Sequence, residues 1–170
     1  VKDLGEPGLQ FGPRKVRLYP NGSFASHILG GTTFGRESVD SAEIIGEAGV
    51  ELMFDEYLNS SENSEKPLVL SLDLSVQSVV EKVLAGGLKI MNARAGSAVL
   101  IEVYTGQILA LASLPDFNPN NRPALPIKGD PSDSPLFNIA AQGLYELGST
   151  FKVFTAAQAF DEDFALPSTM

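Results

Sequence analysis

A proline-rich stretch in the second half of the chain limits most strongly how this sequence can fold. Residues 115–135 hold six of the 11 prolines, together with Asn118, Asn120, Asn121, Gly129 and Asp130. Proline fixes φ and has no backbone N–H, so this stretch is predicted to form neither a helix nor a central strand. A connection of this length is uncommon in a compact domain and is usually functional or mobile. We therefore expect a long irregular loop between two structured parts of the chain.

A second connector is predicted at residues 59–67, where the sequence NSSENSEKP is polar, charged and without periodicity. In the block before it, Val50, Phe54 and Leu58 follow each other at the i, i+4, i+8 spacing of one apolar helix face. The elements predicted for this block are an extended piece over 15–19, a turn at Pro20-Asn21-Gly22 and a helix over 49–58.

The middle block is predicted to contain a helix and a β-hairpin. Asp73 is well placed to cap a helix over 73–85, in which five apolar residues from Val76 to Leu84 recur at helical spacing. Gly86-Gly87 is expected to weaken this helix or to end it early. The predicted strands are 68–72 before the helix, and 97–103 and 107–113 after it, which form a hairpin around Thr105-Gly106.

Composition excludes several classes of protein. With 12 basic against 21 acidic residues, the net charge is −9, which is the wrong sign for a protein that follows nucleic-acid phosphates. The absence of cysteine excludes a disulfide framework, a zinc–thiolate site and a thiol nucleophile. The single histidine, His27, excludes a histidine-based triad and a multi-histidine metal site. No apolar run approaches the ~20 residues needed to cross a bilayer, so we expect any targeting or anchoring segment to lie outside this sequence.

Ser149-Thr150-Phe151-Lys152 is the strongest catalytic candidate. A serine and a lysine three residues apart on a helix share a face, and a lysine kept out of water can take the serine proton and so create an acyl-transfer nucleophile. With 16 serines and seven lysines in the chain, random placement gives about 0.7 such matches, so the S-x-x-K pattern alone favours an N-cap serine and a solvated lysine. The helix that carries this motif is predicted over 149–160.

The sequence around this motif resembles a known nucleophile segment. Residues 145–155 (YELGSTFKVFT) are similar to the Y-E-P-G-S-T-F-K segment of class B penicillin-binding proteins, with Leu147 where proline is common. Further matches follow in order from about residue 14 to residue 160. They are Tyr19-Pro20 with His27-Ile28-Leu29-Gly30, Gly49-Val50-Glu51 with Phe54-Asp55, LSLD at 70–73 with Gln77, GSAVLI at 96–101, TGQILALAS at 105–113 and FNPN at 117–120.

The resemblance implies an α+β protein in two parts. Residues 1–60 would be a non-catalytic pedestal, and residues 67–170 the first part of a transpeptidase domain, in which helices cover an antiparallel sheet. The family is located on the outer, periplasmic side of the bacterial inner membrane, so an N-terminal membrane anchor would precede this sequence. The implied partners are the cell-division or elongation machinery, and the pedestal sequence favours the division type.

The resemblance also implies peptidoglycan D,D-transpeptidase chemistry. Ser149 would attack the penultimate D-Ala carbonyl of a stem peptide and release D-Ala, and Lys152 would be the base that activates Ser149. An amine of a neighbouring stem peptide would then take the acyl group and form a cross-link. β-Lactam antibiotics would acylate the same serine, and no metal or organic cofactor is needed.

Two family motifs, S-x-N and K-[ST]-G, lie downstream of the nucleophile in the family, whereas this sequence stops 18 residues after Lys152. Ser61-Glu62-Asn63 and Tyr104-Thr105-Gly106 match them only in spelling and are expected to be a solvated loop and a hairpin turn. The chain is therefore interpreted as the N-terminal part of a larger enzyme and is expected to be inactive alone. One alternative is a non-catalytic interaction or scaffold fragment that self-associates or accompanies a separate C-terminal chain. Another is a β-lactamase or β-lactam sensor.

Overall fold

Two antiparallel hairpins and one long helix form the frame of the computed structural model, which describes residues 16–37, 42–166 and 168. The first hairpin pairs β1 (Gly31–Glu37) with β2 (Ala42–Ala48), and the second pairs β3 (Gly96–Ile101) with β4 (Ile108–Leu114). The α-helices are α1 (Ser26–Leu29), α2 (Gly49–Met53), α3 (Asp55–Asn59), α4 (Leu74–Met91), α5 (Ile139–Gln142) and α6 (Lys152–Asp161). Short 3₁₀ turns occupy Ser61–Asn63, Pro119–Asn121, Pro131–Asp133 and Gly148–Phe151. This mixture of helices and antiparallel pairs confirms the α+β prediction.

The first hairpin was not predicted, because its sequence lacks the usual strand signals. β1 (GTTFGRE) contains two glycines and one large apolar residue, so it shows no alternation of apolar and polar positions. Pairing is nevertheless antiparallel, with Phe34 opposite Ile44. Gly46 in β2 lies so close to α2 that a side chain there would collide with the backbone of Glu51. The backbone N–H of Gly46 also donates to Asp55 Oδ1 at 2.7 Å, which fixes the short helices against the hairpin.

Two local predictions, for the helix over 49–58 and for the strand over 68–72, need correction. The helix expected over 49–58 is divided at Phe54, whose φ of −115° and ψ of 24° separate α2 from α3. The residue that is buried is Glu51, not the expected apolar face of Val50, Phe54 and Leu58. The extended piece expected over 15–19 stays a prediction, because residues 16–19 have no assigned helix or strand and Lys15 lies outside the described residues. Residues 68–72 do not form the expected strand, although Ser71 Oγ donates to the Ile108 carbonyl at 2.7 Å. The turn at 20–22 is confirmed, since the Gly22 N–H donates to the Tyr19 carbonyl at 3.1 Å.

Helix α4 begins where the sequence predicted and ends later. Asp73 Oδ1 accepts the backbone N–H groups of Ser75 at 2.8 Å and Val76 at 3.0 Å, which confirms the N-cap. The helix continues through Gly86-Gly87 to Met91, so the expected early end is wrong. The actual end is Asn92, which has a left-handed φ of 50°, and the Ala93 N–H then donates to the Leu88 carbonyl at 2.9 Å.

A fully buried glutamine fixes α4 against the second hairpin. Gln77 has no exposed surface, and its side-chain amide pairs with the backbone of Leu111 in β4. Gln77 Oε1 accepts the Leu111 N–H at 2.8 Å, and Gln77 Nε2 donates to the Leu111 carbonyl at 2.9 Å. Both backbone groups of Leu111 therefore point away from β3, and the glutamine side chain takes the place of a neighbouring strand.

The second hairpin and the long loop agree with the predictions. The β3–β4 pair spans nearly the expected residues, and Gly106 in its turn has a φ of 72°. Residues 115–135 form no helix or strand beyond two 3₁₀ turns, as expected. Within this loop the Asn120 side chain accepts the Tyr19 N–H at 2.9 Å and donates to the Tyr19 carbonyl at 2.7 Å. Arg122 pairs with Glu47 of β2, so the loop ties the second half of the chain to the first.

Replacing Asp73 by alanine is expected to lower the free energy of unfolding by about 1 kcal/mol, because two N–H groups of the first turn of α4 lose their acceptor. Urea unfolding followed by far-UV circular dichroism measures this difference. Asp161→Ala, at the exposed end of α6, serves as the control and is expected to change stability by less than about 0.5 kcal/mol. Equal stability of the two variants would contradict the capping role.

Candidate active site

The S-x-x-K motif lies at the junction of a 3₁₀ turn and α6. Ser149 is the second residue of the turn Gly148–Phe151, and Lys152 is the first residue of α6. The Lys152 N–H donates to the Ser149 carbonyl, so the two residues are one turn apart and their side chains start from neighbouring positions. Gly148 has a left-handed φ of 54°, which glycine adopts at no steric cost, so the turn can start sharply before the serine.

Both side chains of the motif are exposed to solvent in the described structure. Helix α6 itself has no buried residue. The Phe151 and Phe154 rings lie 5.3 Å apart and contact each other, yet they are 56% and 62% exposed. The segment therefore places the serine and the lysine one turn apart on an apolar helix. It does not keep the lysine amine out of water, although S-x-x-K chemistry requires a buried amine.

Other residues singled out from the sequence have structural roles. His27 is half-buried, its Nε2 lies 3.3 Å from the Pro115 carbonyl, and its ring contacts Phe117 edge-on. Burial lowers the pKa of His27, with the Pro115 carbonyl and the charge of Asp116 acting in the opposite direction. The spurious S-x-N match forms an exposed 3₁₀ turn, and Tyr104-Thr105-Gly106 lies in the hairpin turn, as expected. Among the described residues no group of three His, Cys, Asp or Glu side chains could hold a metal ion.

Sequence reasoning missed a buried polar cluster in the first block. Glu51 is only 7% exposed, and its Oε1 lies 3.1 Å from Arg17 Nε and accepts a hydrogen bond from the Tyr19 hydroxyl at 3.1 Å. Burial, followed by the negative charge of Glu51, raises the pKa of Tyr19 to about 12. The R-x-Y spacing is a weak signal for this cluster, because the acidic partner lies 32 residues further along the chain. The hydrogen bond and the ion pair of Glu51 attach residues 17–19 to α2.

Two family models together match almost the whole chain. The penicillin-binding protein dimerisation domain matches residues 3–87, which is half of the sequence, and the penicillin-binding protein transpeptidase domain matches residues 96–169. The chain belongs to the class B penicillin-binding proteins. Ser149 and Lys152 lie inside the part that matches the transpeptidase domain.

Curated relatives of this penicillin-binding protein carry the same name for their activity. A probable peptidoglycan D,D-transpeptidase FtsI from Caulobacter vibrioides is 33% identical over 95% of the chain and 25% of the relative. Peptidoglycan D,D-transpeptidase FtsI from Escherichia coli K12 is 29% identical over 93% of the chain and 29% of the relative. Peptidoglycan D,D-transpeptidase MrdA from Acinetobacter baumannii is 32% identical over 88% of the chain and 27% of the relative. The chain thus spans between a quarter and a third of the length of these relatives. No helix in the described ranges is both long enough and apolar enough to span a membrane.

Proposed function

We propose that this chain is part of a peptidoglycan D,D-transpeptidase that uses Ser149 as its nucleophile. The position of S-x-x-K at the start of α6, within the part that matches the transpeptidase domain, supports this proposal. Ser149 Oγ attacks the penultimate D-Ala carbonyl of a stem peptide while Lys152 accepts the hydroxyl proton, and D-Ala leaves with a proton. An amine of a second stem peptide then attacks the acyl-enzyme, which forms the cross-link and frees the serine. A β-lactam acylates Ser149 by the same first step.

The proposed division of the chain places a non-catalytic pedestal at residues 1–60 and the first part of the transpeptidase domain at residues 67–170. The hydrogen bonds between Gln77 and Leu111 support a boundary before α4, because they join that helix to the β3–β4 hairpin. The exposed 3₁₀ turn Ser61–Asn63 lies at the proposed boundary. In this division the long loop at 115–135 reaches back to the pedestal through Asn120 and Arg122.

The proposed cellular setting is the outer, periplasmic face of the inner membrane, with an anchor that precedes this sequence. We assign the protein to the cell-division type, with the division machinery as its partners. Two of the relatives named above are called FtsI, and one is called MrdA. The proposed activity needs no metal and no organic cofactor.

Acylation by a fluorescent penicillin tests the proposed activity. The full-length protein is incubated with the antibiotic, digested with trypsin and analysed by tandem mass spectrometry. Cleavage after Lys128 and Lys152 releases the peptide 129–152, which contains Ser132, Ser134 and Ser149. We expect one adduct per molecule, located on Ser149 by fragmentation. An unmodified protein that is folded, or an adduct on another residue, would refute the assignment.

The exposure of Ser149 and Lys152 favours a second function for the 170-residue chain taken alone, which is a non-catalytic scaffold. Exposed apolar residues on α6, with Phe154 at 62% and Val153 at 67%, would then support self-association or pairing with a C-terminal chain. Mass spectrometry of the isolated chain with the same penicillin should show no adduct, and light scattering should show assembly. An adduct on the isolated chain would remove the scaffold interpretation.

A further inference from the structure

A buried hydroxyl between the two halves of the chain has no partner. Ser26, in α1, is 2% exposed, and its Oγ makes no hydrogen bond within the part of the chain that the structure describes. A buried hydroxyl without a partner is destabilising, because it loses its bonds to water on folding. Buried polar groups of this kind are normally satisfied by protein atoms or by an ordered water molecule.

Ser26 lines a small cavity whose size and lining fit one water molecule. The cavity has a volume of about 10 Å³, and a single water needs about 10–15 Å³ of such volume. The polar residues that line it come from separate parts of the fold; they are Ser23, Ser26, His27, Glu81, Ser113 and Asp116. A water molecule also needs between two and four polar partners, and this lining can supply them.

The polar groups around Ser26 already make some of their possible hydrogen bonds, and the donors and acceptors that are left determine which molecule could bind in the cavity. Glu81 Oε1 accepts the backbone N–H of Ala25 at 3.0 Å and the side-chain amide of Gln77 at 2.8 Å. Ser113 is 2% exposed, and its Oγ accepts the Ile139 N–H at 3.0 Å. Because a serine hydroxyl is also a donor, Ser113 retains an O–H that needs an acceptor.

We propose that one internal water molecule occupies this cavity and joins α1 to α4 and β4. The water accepts hydrogen bonds from the hydroxyls of Ser26 and Ser113 and donates to the carboxylate of Glu81. With the direct bond from Glu81 to Ala25, it forms a polar joint between the first block and the helix and hairpin of the second. This inference does not depend on the proposed enzymatic function, since it uses only burial, volume and hydrogen-bond capacity.

The joint has a structural consequence for Ala25. This residue precedes α1 with a left-handed φ of 52°, which is an uncommon conformation for alanine. The Ala25 N–H donates to Glu81 Oε1, and the hydroxyl of its neighbour Ser26 would donate to the water. A hydrated joint therefore stabilises an otherwise unfavourable backbone conformation at the place where the two halves meet.

A crystal structure of the full-length protein at high resolution tests the proposal without any variant. We expect one peak of electron density within hydrogen-bond distance of Ser26 Oγ and the Glu81 carboxylate. A cavity without density, or a Ser26 hydroxyl bonded directly to Glu81, would overturn the proposal. Crystals in which rubidium replaces sodium separate water from a monovalent cation, because an anomalous peak in the cavity would identify a cation and refute the water.

Hydrogen exchange supplies the matching measurement in solution. In Ser26→Ala the water loses one partner, so the Ala25 amide is expected to exchange about tenfold faster than in the wild type, which corresponds to the loss of about one hydrogen bond. Ser64→Ala is the matched control, because Ser64 is exposed and its replacement should leave the exchange of Ala25 unchanged. Equal exchange rates for Ala25 in Ser26→Ala and wild type would contradict a water held by Ser26.

Discussion

Replacing Ser149 by alanine in the full-length protein is expected to lower the rate of penicillin acylation by about 10⁶-fold, which is loss of detectable labelling. The serine oxygen forms the covalent bond to the acyl group, and alanine leaves no nucleophile at this position. Thr155→Ala is a suitable control, because Thr155 is an exposed hydroxyl residue in the same helix. The measurement is the time course of labelling by a fluorescent penicillin, with both variants checked for folding by circular dichroism.

A second variant separates the role of the serine from that of the lysine. Lys152→Ala keeps the nucleophile and removes the proposed base, and a general base contributes about 10²–10⁴-fold to such a reaction. Labelling should therefore be slow but still located on Ser149. If Ser149→Ala were labelled at the wild-type rate, the nucleophile assignment would be wrong. If Lys152→Ala alone kept that rate, the serine would stand and the lysine would lose its role as base.

The solvent exposure of Ser149 and Lys152 determines what the labelling of the isolated chain can be compared with. Lys152 and Ser149 both face solvent, and α6 has no buried residue among those the structure describes. S-x-x-K chemistry uses an amine that is kept out of water, because burial disfavours the charged form of an amine. Comparison of the isolated chain with the full-length protein thus measures how much of the activation comes from the local turn and how much from its surroundings.

Elements with strong local signals were predicted well from the sequence. The Asp73 cap, the β3–β4 hairpin and the irregular loop at 115–135 each depend on a few adjacent residues whose backbone preferences agree. The helix over 49–58 was predicted only in outline, because its spacing described a buried apolar face, whereas the structure interrupts the helix at Phe54 and buries Glu51 against Arg17 and Tyr19. Tertiary contacts decided that region, and periodicity alone does not report them.

Long-range contacts account for most of what the sequence did not predict. Asn120 and Tyr19 are 101 residues apart, and His27 and Pro115 are 88 residues apart. No pattern within a short window links such residues. The catalytic role of the S-x-x-K motif was predicted from the resemblance to a family, because a serine and a lysine at this spacing are expected by chance in a chain of this composition. Its placement at the start of α6 agrees with the predicted helix at 149–160, although the first turn is 3₁₀.

The burial of Gln77 is another feature that the sequence did not predict. The sequence places it in the predicted helix among valines, where a glutamine would ordinarily face solvent, yet it is the most deeply buried polar residue among those described. Its burial is possible because the side-chain amide offers one donor group and one acceptor in the geometry of a peptide bond. Leu111 accepts and donates accordingly, and Glu81 takes the second N–H of the amide at 2.8 Å.

Replacing Gln77 by alanine is therefore expected to lower the free energy of unfolding by about 3 kcal/mol, within a range of about 2–5 kcal/mol. The N–H and the carbonyl of Leu111 would both lose their partner in the interior, and each unsatisfied buried group costs about 1–3 kcal/mol. The removed side chain also leaves a cavity between α4 and β4. For a chain of this size the midpoint of thermal unfolding should fall by about 6–12 °C.

Gln158→Ala in α6 provides the matched control for Gln77→Ala. It makes the same chemical change at an exposed position, so its effect should stay within about 0.5 kcal/mol. Urea unfolding gives the free energies, and hydrogen exchange at the Leu111 amide shows whether the loss is local to β4. A glutamine that only fills space would tolerate replacement by leucine, whereas one that completes the strand edge would not. Gln77→Leu is thus expected to be nearly as unstable as Gln77→Ala, and recovery of wild-type stability in that variant would show that packing, not hydrogen bonding, holds α4 on the hairpin.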